Sequence, residues 1–175
     1  MKIESTAFTS AEVQGFLDEL VDHDRLLLVG RLERAMARLA DVGPRIPAGH
    51  GEGQWSDHEI LAHIAVLSKF YGVLVHKISS GQMAELNLLE NVNLRDVAGQ
   101  RMAELEPNDL LRAIRSDHER TLKILQTAEP AALRRTARLE DGTNMSAEDV
   151  ARLPLISHLE MHLDQLEKSL AAKAP

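Results

Sequence analysis

At three places where an apolar helical repeat begins, a hydroxyl residue is followed three positions later by an acid: Thr9-Ser10-Ala11-Glu12, Ser56-Asp57-His58-Glu59 and Ser146-Ala147-Glu148-Asp149. Each reads as a capping box, in which the hydroxyl accepts the backbone N–H of the third helical residue and the acid reaches back to the N-cap N–H. Behind each box the apolar residues recur at helical spacing, and no convincing strand pattern competes with them. The first repeat runs from Thr9 to about Ala40 through Val13, Phe16, Leu17, Leu20, Leu27, Leu28, Leu32 and Met36. Asp41-Val42-Gly43-Pro44 stops it, because Gly suits a left-handed C-terminal position and Pro cannot continue the ladder.

A glycine-rich loop leads to the second box, where Trp55 and Ile60 stand at the two positions of a hydrophobic staple. The second helix ends at Ser79-Ser80-Gly81. At about 100° per residue, Ile60, Leu67, Phe70 and Leu74 fall within roughly 60° of His63, so His63 is expected to point into the core. His76 comes out roughly 140° away, on the surface side. Residues 82–106 are the least regular part, with a short helix expected from about Arg95 to Leu105. The third helix starts near Pro107 or Asn108, carries Leu110, Leu111, Ile114, Leu122 and Leu125, and ends before Glu129-Pro130. Arg134 to Asn144, with its Asp141-Gly142 turn signal, reads as an extended surface segment.

The last helix runs from the Ser146 box to about Ala171 and contains Pro154. Either it kinks there, or a short turn precedes a new helix with Pro154 at its first position. Leu155, Leu159, Leu163, Leu166 and Leu170 form its apolar stripe. Together these features predict an all-α protein, a four-helix bundle forming one domain over residues 1–175, with a long connection between helices two and three. That connection leaves the third helix free to run parallel or antiparallel to the second.

Composition bounds the chemistry. With no cysteine there is no disulfide, thiolate ligand or cysteine nucleophile, so a metal would be held by His and carboxylates. A formal net charge of −7 argues against nucleic acid as a partner, since phosphate binding needs a basic surface. No leader pattern opens the chain and no apolar run approaches the roughly 20 residues that span a bilayer, so a cytoplasmic protein without membrane contact is expected.

One segment stands out chemically: Ser157-His158-Leu159-Glu160-Met161-His162-Leu163-Asp164-Gln165. Residues four apart on a helix sit one turn above each other, so His158 and His162 can present two imidazoles to one point. Two histidines hold a metal poorly, and His63 is the best candidate for a third ligand. Gln165, one turn beyond His162, could support it from behind. The pair is not that of a zincin, which needs its general base directly after the first histidine. Here Glu160 lies roughly 200° from His158 and faces away. Glu59, one turn before His63, is a weak candidate for orienting that ligand or taking a proton, and is first of all a capping residue. Trp55 is a packing residue at the helix end that could also wall a cleft. His23, His50, His58 and His118 read as surface or loop residues.

Taken together, Trp-Ser-x-x-Glu-Ile-Leu-x-His at 55–63 and His-x-x-x-His-x-x-Gln at 158–165 resemble the DinB superfamily, also called DinB/YfiT-like. The resemblance extends over essentially the whole chain. It implies a four-helix bundle in which three motif histidines bind a divalent metal, and it carries that role onto His63, His158 and His162. Activities known in the family include thiol-dependent S-transfer and maleylpyruvate isomerisation. The chain departs from the isomerase branch, where a carboxylate stands at the position His158 fills here.

Three neutral imidazoles leave coordination positions of a divalent ion open, as catalytic sites require. The expected cofactor is one such ion per chain, zinc, nickel or iron. The leading expectation is therefore a metal-dependent transferase or hydrolase acting on a small molecule, with a low-molecular-weight thiol as cosubstrate. The rival is a non-catalytic bundle whose metal pins two helices together, acting as a stress-related or partner-binding protein. An open cleft at the metal favours the first and a sealed site the second. Pairing of exposed helix faces would make a homodimer.

Overall fold

The computed structural model describes residues 8–52, 54–87 and 99–173. Four long helices form a bundle, as the apolar repeats predict. Helix α1 is Ser10–Val42, α2 is Asp57–Ser79 and α3 is Pro107–Thr127. After the short α4, Pro130–Leu133, the fourth long helix is built from α5, Ala147–Val150, a π-helical stretch, Ala151–Ser157, and α6, His158–Ala172. All three capping boxes form with both reciprocal bonds. Each hydroxyl cap is worth about 1 kcal/mol of helix stability.

Gly43 departs from expectation. It stays right-handed and continues α1 into a single 3₁₀ turn, Gly43–Arg45. Its smallness serves packing instead, because a Cβ there would collide with the Leu111 side chain of α3. The core is formed by the inner faces of all four helices: Leu28, Leu32 and Leu39 of α1, Ile60, Ile64 and Leu74 of α2, Leu110 and Ile114 of α3, and Leu159, Leu163 and Leu166 of α6. Helix α2 is the most thoroughly buried. It is long and apolar enough to cross a membrane by length and composition, contrary to the expectation from apolar runs alone, and 72% of its most apolar window is buried inside the protein.

Two expectations on the connections are corrected. Arg134 to Asn144 is not merely an extended surface segment: it contains β2, Thr136–Leu139, and runs into β3, Asn144–Ser146, paired antiparallel across the Asp141-Gly142 turn. Gly142 takes φ 85°, the left-handed conformation the turn requires. Strand β1, Glu85–Leu86, adds in parallel to β2, giving a three-stranded sheet in the order β1-β2-β3. These strands are two to four residues long, too short for a period-two pattern to show. In the helix α2 to α3 connection, residues 99–102 are helical, while the expected start of that helix at Arg95 lies outside the described residues.

The first half of α1 is also less covered than its apolar repeat suggests. Val13, Phe16, Leu17, Leu20 and Leu27 are all exposed. They share a side of the helix with Arg31 and Arg38, which reach α6. Arg31 binds Glu160 at 2.5 Å and Ser157 at 2.9 Å, and Arg38 binds Asp164 at 2.5 Å and Glu167 at 2.8 Å. Arg152 of the π stretch reaches Asp24 at 2.9 Å.

Two histidines read as surface residues are buried. His58 sits on the first turn of α2, its Nε2 2.8 Å from the Leu105 carbonyl and its Nδ1 near Gly49, so it clasps two loops to the helix. His118 lies in the α2–α3 interface with Nε2 2.8 Å from Ser68 Oγ, and its Nδ1 has no hydrogen-bond partner among the described residues. Burial pushes its pKa down to about 4, which keeps the ring neutral. Amphipathic arithmetic misplaces both because a single polar residue inside an apolar stripe carries little weight in the pattern. His23, His50 and His76 are exposed, as expected.

Candidate metal centre

Pro154 has no N–H to donate to the carbonyl four residues back, and its ring would clash with that carbonyl in an α-turn. The chain answers with neither a break nor a restart but with seven residues of wider π geometry, Ala151–Ser157, flanked by right-handed helix on both sides. The Ser157 hydroxyl donates to the Arg152 carbonyl at 2.8 Å, satisfying one group in the widened turn. Regular α geometry resumes at His158, so His158 and His162 stand one turn apart.

Across from them, α2 presents His63. The rings of His63 and His158 lie 5.5 Å apart, those of His63 and His162 5.0 Å, and those of His158 and His162 4.7 Å. One nitrogen from each of the three falls within 4.8 Å of the others, and the two Nε2 atoms of the helical pair are 3.0 Å apart. Imidazole nitrogens bound tetrahedrally to zinc at about 2.0–2.1 Å stand ~3.3 Å from one another. Small side-chain rotations therefore suffice, and the donor set fits a divalent cation.

The surroundings of His162 favour its neutral ring. Burial lowers the pKa of His162, against a smaller opposing effect of Gln165. Gln165 Oε1 lies 3.2 Å from His162 Nδ1. With that oxygen as acceptor, Nδ1 carries the proton and Nε2 keeps the lone pair a metal needs. Glu160 is turned to the far side of α6 and held by Arg31, as helical arithmetic requires.

His63 does not lie in the core proper. It is half-buried, and Trp55 lies against it with the ring centres 4.8 Å apart and the planes tilted by 55°, while 58% of the indole residue is exposed. Trp55 is therefore a cleft wall rather than a buried packing residue. The cleft it borders has a volume of about 630 Å³ and is lined by His50, Trp55, Glu59, His63, Gly99, Gln100, Ala103 and Glu104. Glu59 is engaged as a cap. Its Oε2 accepts the N–H groups of Ser56 at 2.8 Å and Gly51 at 3.0 Å, which hold its carboxyl below the usual carboxylate range. Its other oxygen stands 3.6 Å from His50 Nδ1. The structure thus brings together His63, His158, His162, Gln165 and Trp55, with Glu59 at the rim. Sequence reasoning missed His50, Gln100 and Glu104 as lining, since each comes from a segment with no periodicity to orient it.

A helical bundle with three converging imidazoles beside an open cleft defines the class of protein. The sequence profile of the DinB superfamily matches residues 30–166, and the chain belongs to that superfamily. No curated protein sequence matches it. Among solved structures it is similar to the mycothiol-dependent maleylpyruvate isomerase, at TM-score 0.60 and 15% identity, covering 85% of this chain and 60% of that one. A histidine-to-alanine mutant of that isomerase gives TM-score 0.61 and 14% identity over the same shares. The chain thus spans about 60% of the isomerase's length. It is also similar to YfiT from Bacillus subtilis, described as a probable metal-dependent hydrolase with an unusual four-helix bundle topology. There the TM-score is 0.50 and the identity 14%, covering 97% of this chain and 94% of that one.

Proposed function

We propose that the protein is a metal-dependent enzyme in which His63, His158 and His162 hold one divalent ion, zinc, nickel or iron, and which transfers or hydrolyses a group on a small molecule with a low-molecular-weight thiol as cosubstrate. The observation that carries this reading is the cleft beside His63: a site pinned only for structure would be sealed by side chains, and this one borders about 630 Å³ of open space. A bound ion would supply Lewis acidity, making a coordinated water or thiol acidic near neutral pH. The chain's own groups do the rest. Gln165 fixes the ring of His162, Trp55 shields one side of His63 from water, and Glu59 stays ionised at the rim. The fold of the thiol-dependent isomerase and the described metal dependence of YfiT support the same reading.

Substitution with Co²⁺ tests it. The loaded protein is expected to show visible bands of an open-sided site, and a small thiol such as 2-mercaptoethanol should add a sulfur-to-metal charge-transfer band in the near ultraviolet. Bands that ignore added thiol would favour the scaffold reading.

The reading extends to a homodimer. Where α6 and the π stretch cover α1, Asp24, Arg31 and Arg38 make the contact, and the apolar side of α1 beyond them continues uncovered as Val13, Phe16, Leu17 and Leu20. A second copy's α1 would continue that helix contact with apolar surface on both sides. Light scattering should give twice the chain mass, and Phe16→Glu should halve it. A wild-type monomer at tens of micromolar would remove this part of the proposal.

A further inference from the structure

The lining of the cleft has a charge pattern that bears on what enters it. Glu59 and Glu104 are both acidic, and no lysine or arginine lines the cleft among the described residues. Glu104 is exposed and makes no ion pair or side-chain hydrogen bond among the described residues. Glu59 keeps one oxygen outside its capping bonds, with exposed His50 near it. Trp55 turns one side to His63 and leaves more than half of the residue open. An aromatic face next to carboxylates attracts a cation twice over, through the ring quadrupole and through Coulomb's law, and repels a carboxylate. A dianion such as maleylpyruvate, for which the structural neighbour is named, would meet two carboxylates here and, among the described residues, no lysine or arginine.

Resting on the reading of the three histidines as a metal site, we propose that the cleft takes a small thiol bearing an ammonium or guanidinium group, seated against Trp55 with Glu59 and Glu104 around it, and rejects carboxylate-bearing analogues. Glu104 and Trp55 then set specificity without touching the reacting atoms.

Three thiols of similar size separate the charge from the sulfur: cysteamine, 2-mercaptoethanol and 3-mercaptopropionate. Trp55 is the sole tryptophan, so its emission reports the cleft directly, with or without metal. In Co²⁺-loaded protein the charge-transfer band gives a second readout. The expected order of affinity is cysteamine, then 2-mercaptoethanol, then 3-mercaptopropionate, with at least about tenfold between the ends, or ~1.4 kcal/mol. Glu104→Gln should bring the three within about threefold of one another. Glu19→Gln, an equal change of net charge on exposed α1, should leave the spread intact and so discounts general attraction to an acidic protein. Equal affinities, or a preference for the carboxylate, would overturn the proposal. If metal fails to bind while Trp55 emission still shows the cation preference, the metal reading falls and the charge selection stands.

Discussion

Alanine at His63, His158 or His162 should each lower metal affinity by more than about 100-fold, because removing even an outer partner of a ligand costs 10–100-fold. Gln165→Leu should fall inside that smaller range, since it leaves three donors and loosens only the ring of His162. His76→Ala should leave metal content unchanged. His76 is on the same helix as His63 but exposed, on a groove lined by Lys69, Arg120 and Lys123, so it controls for the loss of any surface imidazole. The measurement is elemental analysis of tag-free protein after dialysis, followed by competition with a chelator. Wild-type protein should hold about one ion per chain. Equal losses for His76→Ala and His162→Ala would mean that the converging rings are not the site.

The second large effect is on acid stability. Each imidazole must be neutral to bind, and bound metal depresses its folded-state pKa below the unfolded value of about 6.5. A group with a depressed pKa contributes stability that is present above the unfolded value and is lost as pH falls through the folded one. His162 is already shifted in this direction by burial. His118 adds a similar loss of its own between about pH 6.5 and its folded pKa of about 4, and that loss is independent of metal. The difference between holo and apo protein therefore removes His118 and isolates the three ligands. That difference in melting temperature should be largest near neutrality and shrink towards about pH 5, with metal released over the same interval. A difference that stayed flat or grew on acidification would point to carboxylate ligands, which protonate nearer pH 4.

Much of this arrangement is legible in the residues because helices report themselves locally. The boxes at Thr9, Ser56 and Ser146 mark three helix starts directly, and 3.6-residue periodicity places Leu159, Leu163 and Leu166 inside and Glu160 away from the histidine pair. What escaped depends on contacts distant in sequence. The burial of His118 follows from its meeting with Ser68, and the exposure of Leu20 from where the fourth long helix begins, neither of which leaves a local trace. His63 is less deep than the periodicity of α2 alone predicts because it faces the cleft, which Trp55 walls from outside the helix. Glu104 reached the cleft through a connection whose path no pattern encodes.

The seven π-helical residues around Pro154 also act as a rotational setting. A widened turn holds one more residue than an α-turn, and one residue is worth about 100° of helix rotation. Everything after Ser157 is thereby turned relative to the Ser146 cap, and that turn brings the two imidazoles round to face α2. Ligand direction in this chain is consequently encoded by the length of the segment before the histidines as much as by their spacing. Sequences aligned on the histidine pair alone will agree in the site and differ by one residue upstream wherever the proline, and with it the wide turn, is missing.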